Sequence, residues 1–148
     1  MAKFVVDLQR TASTSASVGV LSAGGRRLRV YDVMFGSEAT PADAAILWSL
    51  NRTTGAGTST AVTPVAADAG DTTAASATAG ENSTIEPTYT AAAFMLQIPL
   101  NQRATFRWVA APGGELTTLA TAGNGYGVRT SVISTGTPVV TATLHFDE

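Results

Sequence analysis

Apolar and polar residues alternate along most of this chain, and the dominant period is two, the signature of strands with one buried face. Phe4, Val6 and Leu8 share one face, as do Ile46, Trp48 and Leu50. Further along, Phe94, Leu96, Ile98 and Leu100 align, then Phe106 with Trp108, then Val140, Ala142, Leu144 and Phe146. The opposite faces carry mostly Thr, Ser, Gln, Arg or Asp. This places Trp48, Phe94, Phe106, Trp108, Leu144 and Phe146 in the core. From Leu28 to Phe35 both faces are apolar apart from Arg29 and Asp32, so this strand is either central between layers or covered by another subunit. The second reading is preferred, and it makes Arg29, Tyr31 and Phe35 candidate interface residues.

Glycine-rich turns punctuate the runs at Gly24-Gly25, Gly55-Ala56-Gly57, Pro112-Gly113-Gly114, Gly123-Asn124-Gly125 and Gly136-Thr137-Pro138. Short strands at this spacing predict an all-β sandwich or barrel of roughly eight to ten antiparallel strands. One helix start is present in "SEATPADAAILW": Thr40 can cap, Pro41 suits the first helical position and Asp43 meets the positive end. Trp48 soon opens an alternating strand, which limits any helix to one or two turns. Between about residues 53 and 90 the chain is Ala, Thr, Ser, Gly and Asp, with only Val62 and Val65 able to anchor a strand. Such a segment predicts a long surface loop that reaches over a neighbour.

The 148 residues make one domain, able by size scaling to bury roughly two-thirds of its unfolded surface. The chain is 45% hydrophobic and only 14% charged, where roughly 25% is usual. A β protein with so little surface charge is better suited to having part of its surface covered. Net charge is -2, and eight of the nine basic residues are arginine, with Lys3 the only lysine. There is no basic tract to neutralise phosphates, so no nucleic-acid partner is expected. Arginine without lysine favours contact surfaces, because the planar guanidinium pairs with carboxylates and carbonyls at packed interfaces. No stretch approaches the roughly 18 apolar residues of a membrane span, and the N-terminus lacks the unbroken apolar core of a signal peptide. The expectation is a soluble protein made without export, in which the N-x-[ST] sequons at Asn51 and Asn82 have no role.

Candidate chemistry is sparse. There is no cysteine, and the single histidine, His145, is out of phase with Leu144 and Phe146 and so faces outward. Metal-dependent enzymes on β-barrels commonly use two or three histidines with a carboxylate; neither metal nor cofactor is expected. No G-x-S-x-G elbow precedes a helix. "GNGYG" is a turn rather than a phosphate loop, since "VRTSVI" continues it as strand. Asp68, Asp71 and Glu81 lack the alternating spacing of a calcium loop. Arg103 and Arg107, four apart on one strand in "NQRATFRWVAAPGGEL", share a face, and that face is opposite Phe106 and Trp108. With Thr105 between them they would form a polar stripe suited to bidentate contacts across an interface.

The stretches "GSEATPADAAILWSLNRTTGAGTSTAVTP", "EPTYT" and "LNQRATFRWVAAPGGEL" resemble the capsid decoration, or cement, proteins of tailed bacteriophages, over roughly Phe35 to Phe146. The resemblance implies a jelly-roll β-sandwich on the outer surface of the virion's icosahedral head, made in the host cytoplasm. It implies homo-oligomers, a trimer in preference to a dimer, bound to the major capsid protein lattice, and no catalytic motif. The alternative is a carbohydrate-binding or host-adhesion jelly roll of fibre or lectin type, whose stacking platforms would be Tyr31, Tyr89 or Tyr126. A cupin-type enzyme does not fit the histidine count.

Overall fold

The computed structural model describes all 148 residues, Met1–Glu148, as twelve strands without a helix. In chain order they are β1 (Lys3–Thr11), β2 (Gly19–Ser22), β3 (Arg29–Ala39), β4 (Ala45–Gly55), β5 (Thr58–Val62) and β6 (Val65–Ala66). Then come β7 (Thr78–Ile85), β8 (Thr88–Asn101), β9 (Phe106–Val109), β10 (Leu116–Thr117), β11 (Gly125–Ile133) and β12 (Val139–Asp147). All pairings are antiparallel, in two six-stranded sheets. The first runs β10-β3-β12-β1-β6, with β9 also on β3, and the second runs β5-β7-β2-β11-β4-β8.

The clean period-two runs become the facing layers of this sandwich. Phe4, Val6 and Leu8 of β1, Val140, Ala142, Leu144 and Phe146 of β12, and Ile46, Trp48 and Leu50 of β4 all enter one core of 22 buried residues. Full burial of each large side chain contributes about 1.5–3 kcal/mol, which orients these strands unambiguously. Phe106, Trp108, Leu96, Ile98 and Leu100 pack on the rim of this core, half-buried.

Two departures come from bulges, where one extra residue resets the alternation. Opposite β12 the register slips between His145–Asp32 and Phe146–Val30, which leaves Tyr31 as the extra residue of β3. Tyr31 and Asp32 therefore both point outward, while Val30, Val33 and Phe35 point in. Phe35 is 1% exposed and belongs to the core, not to an interface. The two-sided apolar pattern of Leu28–Phe35 is produced by this bulge, which brings Leu28 and Val30 before it and Val33 and Phe35 after it onto one buried face. On β8 the register steps from Leu50–Leu96 to Asn51–Phe94, so Met95 is the extra residue. Met95 joins Leu96 against the core, and Phe94, placed inside by alternation alone, is turned out and 47% exposed.

The segment from 53 to 90 is not a long loop. It holds the end of β4, all of β5, β6 and β7, and the start of β8; apart from two-residue connections, the irregular stretch is residues 67–77 between β6 and β7. Its small side chains allow close approach: a Cβ on Gly80 would meet Ser59 Oγ at 1.9 Å. The strands are held by backbone ladders, β7 pairing with both β2 and β5, and only Ala77 and Ala79 enter the core fully. This insertion between β4 and β8 adds β6 beside β1 and β7 with β5 beside β2. It covers one side of the sandwich in both sheets.

The anticipated helical turn after Thr40 is absent. Thr40 takes a left-handed φ of 52°, and Gln102, buried at the end of the sandwich, supplies the hydrogen bonds that order the segment. Its side-chain carbonyl accepts from Ala42 N at 2.9 Å, and its amide donates to Thr135 O at 2.7 Å.

Candidate functional site

The outer face of the first sheet gathers most of the charged and aromatic residues singled out by the sequence. Arg29, at the start of β3, forms a fork with Asp147 of β12: Nε–Oδ1 is 2.7 Å and Nη2–Oδ2 is 2.9 Å. Arg107 of β9 does the same to Asp32, with Nε–Oδ1 at 3.0 Å and Nη2–Oδ2 at 2.5 Å. Asp32 is 4% exposed, so Arg107 closes over a buried carboxylate. The hydrogen bonds to these aspartates raise both guanidinium pKa values above the ordinary arginine value. Between them Tyr31 packs edge-on to His145, with ring centroids 6.1 Å apart, and Lys3 lies over the tyrosine ring. Burial, then Asp147 and Asp32, push the Tyr31 phenol up.

The predicted arginine stripe does not form. β9 begins at Phe106, and Arg103 lies in the preceding turn, where its backbone N–H donates to Asn101 Oδ1 at 2.9 Å. Arg103 is exposed, whereas Arg107 and Arg29 are each committed to an internal carboxylate. Beside Arg107 lies a groove of ≈ 550 Å³ whose walls include Met34, Glu38, Thr105, Phe106 and Thr141. Glu38 accepts hydrogen bonds from Gln9 and Thr141, so the charges at both ends of the groove have internal partners.

A second constellation, on the outer face of the second sheet, had no period or motif to announce it beyond the quoted "EPTYT". Glu86 accepts from both the backbone N–H and the hydroxyl of Ser17, and Ser17 Oγ is 2.5 Å from Tyr89 Oη. The Tyr89 ring lies over Gly127, where a Cβ would meet its Oη at 2.3 Å, and Arg129 sits 4.7 Å from the ring centroid. Burial pushes the Tyr89 phenol up to about 12, against smaller opposing effects of Ser17 and Arg129. These contacts fasten the insertion to the frame.

For the adhesion reading, the tyrosines are poorly placed. Tyr126 is wholly buried, Tyr89 is covered by Arg129, and Tyr31 is flanked by Lys3 and His145. Nowhere do three side chains of His, Asp or Glu converge as a metal set. Asp68 and Asp71 instead cap their own loop, accepting from Gly70 N and Thr73 N, and Glu81 accepts from Gln9 N.

On the side that the insertion leaves open, β8 is the outermost strand of one sheet and β9 and β10 of the other; on the insertion's side the edges are β5 and β6, with Val65 and Ile85 exposed. β8 is 14 residues long and is hydrogen-bonded only to β4. Exposed apolar side chains there include Phe94 and, on β9, Val109. Comparison with protein-family models, curated proteins and solved structures returned no match.

Proposed function

We propose that the chain is a non-enzymatic structural protein that binds the outside of a tailed-phage icosahedral head and cements its major capsid protein lattice. The observation that carries this reading is the asymmetry of the sandwich: one side is covered by the insertion, and the other exposes a 14-residue edge strand bearing Phe94. An open edge with an exposed aromatic is a liability for an isolated domain and an asset for one that is covered in an assembly. Pro99 has no N–H to donate, and the Met95 bulge interrupts regular pairing, so strand addition is disfavoured and contact is made by side chains.

The strand orders support a jelly roll. Setting the insertion and β10 aside, they read β1-β12-β3-β9 and β2-β11-β4-β8. Successive strands alternate between sheets in the first half of the chain, and the last two return to pair with the first two. That architecture serves capsid and lectin domains alike, so the fold alone does not choose the role. The quoted resemblance supplies the capsid assignment, with a homo-oligomer, a trimer in preference to a dimer, bound through many weak contacts. Linked modest contacts around a lattice point give avidity against internal DNA pressure without any single strong site.

The test is co-sedimentation of the purified chain with phage heads that lack it, with light scattering of the free protein in parallel. Saturable binding at a fixed ratio to the major capsid protein is expected. Absence of binding to heads, with retention instead on a glycan surface, would replace this reading with the adhesion module.

A further inference from the structure

Most of the basic side chains have a partner within the chain. Arg29 and Arg107 hold carboxylates, Arg10 donates to the carbonyls of Ser17 and Ser83, and Arg129 and Lys3 lie over tyrosine rings. Arg27 and Arg52 are different. They come from the β2–β3 turn and from β4, distant in sequence, and the fold brings both to one cavity of ≈ 300 Å³. Thr117, Thr118, Leu119, Asn124 and Gly125 complete its lining, which contains no acidic residue. Neither arginine forms an ion pair; Arg52 makes a weak 3.8 Å approach to Met95 Sδ and also reaches toward the Tyr126 hydroxyl. That hydroxyl is buried without a well-formed hydrogen bond; burial pushes its phenol up, and the nearby Arg52 opposes the shift.

Two arginines lining one cavity that holds no acidic side chain give it an excess of positive charge, and an oxyanion between them would accept charge-assisted hydrogen bonds from both. In a chain with only nine basic residues, such convergence is a specific arrangement rather than a basic surface. We propose that this cavity, between the β2–β3 turn, β4, β10 and the 118–124 loop, binds an oxyanion through Arg27 and Arg52. A carboxylate is the favoured form, because both internal ion pairs of this protein already match a guanidinium fork to a carboxylate. The exposed Leu119 adds an apolar wall that suits an acidic side chain presented on a peptide better than a free ion. This assignment does not depend on the capsid reading.

The experiment is a two-dimensional amide and arginine Nε NMR titration with two probes, a blocked glutamate (N-acetyl-glutamate-amide) and inorganic phosphate, against sodium chloride at matched ionic strength. Saturable shifts confined to Thr118, Leu119, Asn124, Gly125 and the two arginines are expected. A response to glutamate alone identifies a carboxylate carried by a partner, and a response to phosphate alone identifies a free anion. Arg27→Gln and Arg52→Gln should each weaken binding by about tenfold, the loss of one charge-assisted contact, while Arg103→Gln leaves it unchanged. All three positions are exposed, so unchanged melting curves verify that the variants fold. The proposal is overturned if neither probe gives more than the chloride response, or if the two variants bind as the parent does.

Discussion

Phe35 and Trp48 stack face to face across the sandwich, one from each sheet, with ring centroids 4.8 Å apart and planes 5° from parallel. Both are 1% exposed, so the pair couples β3 to β4 at the centre of the core. Trp48→Ala removes the larger partner and leaves a cavity between two sheets that cannot easily collapse; the expected loss is about 3–5 kcal/mol by urea denaturation. Trp108, half-buried on the rim strand β9, should lose distinctly less. Equal losses at the two positions would mean that the stack is not the centre of the core.

The Arg107–Asp32 pair gives a prediction opposite to that for a free interface arginine. Because the carboxylate is buried beneath the guanidinium, Arg107→Glu sets two negative charges together at a desolvated site and should lower the melting temperature clearly. Arg103→Glu, in the exposed turn, should leave it unchanged. A double-mutant cycle with Arg107→Gln and Asp32→Asn checks the mechanism: the double variant should be more stable than the sum of the two single losses implies. Strict additivity would mean that the pair is not coupled.

The elements that were legible in the sequence are those whose side chains carry the information. In β1, β4 and β12 the inward residues are large and the outward ones polar, so period and burial coincide. Phe94 and Phe35 are misplaced by the same device, a bulge that resets the alternation. A bulge at Met95 reversed the alternation for Phe94, and bulges leave no mark in composition. The bulge at Tyr31 moves the inward face from Leu28 and Val30 to Val33 and Phe35, so the strand reads as apolar on both faces and Phe35 is sent to an interface. The strands of the insertion were illegible because Thr, Ser, Ala and Gly give no amphipathic signal. Their backbone ladders with β1 and β2 are long-range, and only the fold reveals them. The arginine pairs were half legible: residue type suggested bidentate carboxylate contacts, but Asp32 and Asp147 lie 75 and 118 residues away from their partners.

Alkaline stability should report the clamp formed by Ser17, Glu86 and Tyr89. The phenol titrates at about 12 in the folded chain, against about 10 when unfolded. Below pH 10 both states hold the proton and the stabilisation is complete. Between about pH 10 and 12 only the unfolded state ionises, so it binds fewer protons and stability falls as pH rises. Full expression of this shift amounts to on the order of 2 kcal/mol. Tyr89→Phe should flatten the slope of unfolding free energy over that window. An unchanged slope would place Tyr89 in water.

Gly127→Ala tests the same clamp from beneath. The added methyl would lie 2.3 Å from Tyr89 Oη and 2.6 Å from Cε1, so the ring must swing away from Ser17 and Arg129. Overpacking of this kind costs about 1–3 kcal/mol. Release of the ring should also return the Tyr89 titration toward the ordinary tyrosine value near 10. A destabilised variant whose tyrosine still titrates late would show that the strain had been absorbed elsewhere.

Phe94 separates folding from assembly. Its ring is turned out of the core by the Met95 bulge, on a strand that no other strand covers. Replacing it by serine removes no buried contact of consequence, so folding stability should stay within about 0.5 kcal/mol, as at other surface positions. If the open side of the sandwich is a contact surface, a half-exposed aromatic is its natural anchor, and anchors of this kind cost about 2 kcal/mol or more when truncated. Phe94→Ser should therefore weaken self-association or head binding by more than tenfold while leaving the melting curve in place. Val132→Ser, another exposed apolar residue, in β11, serves as the control for a general loss of surface hydrophobicity. Equal weakening by both variants points to nonspecific adhesion. A fall in stability with Phe94→Ser would place the ring in a core contact, and normal assembly would move the contact surface away from β8, to the outer face of the first sheet.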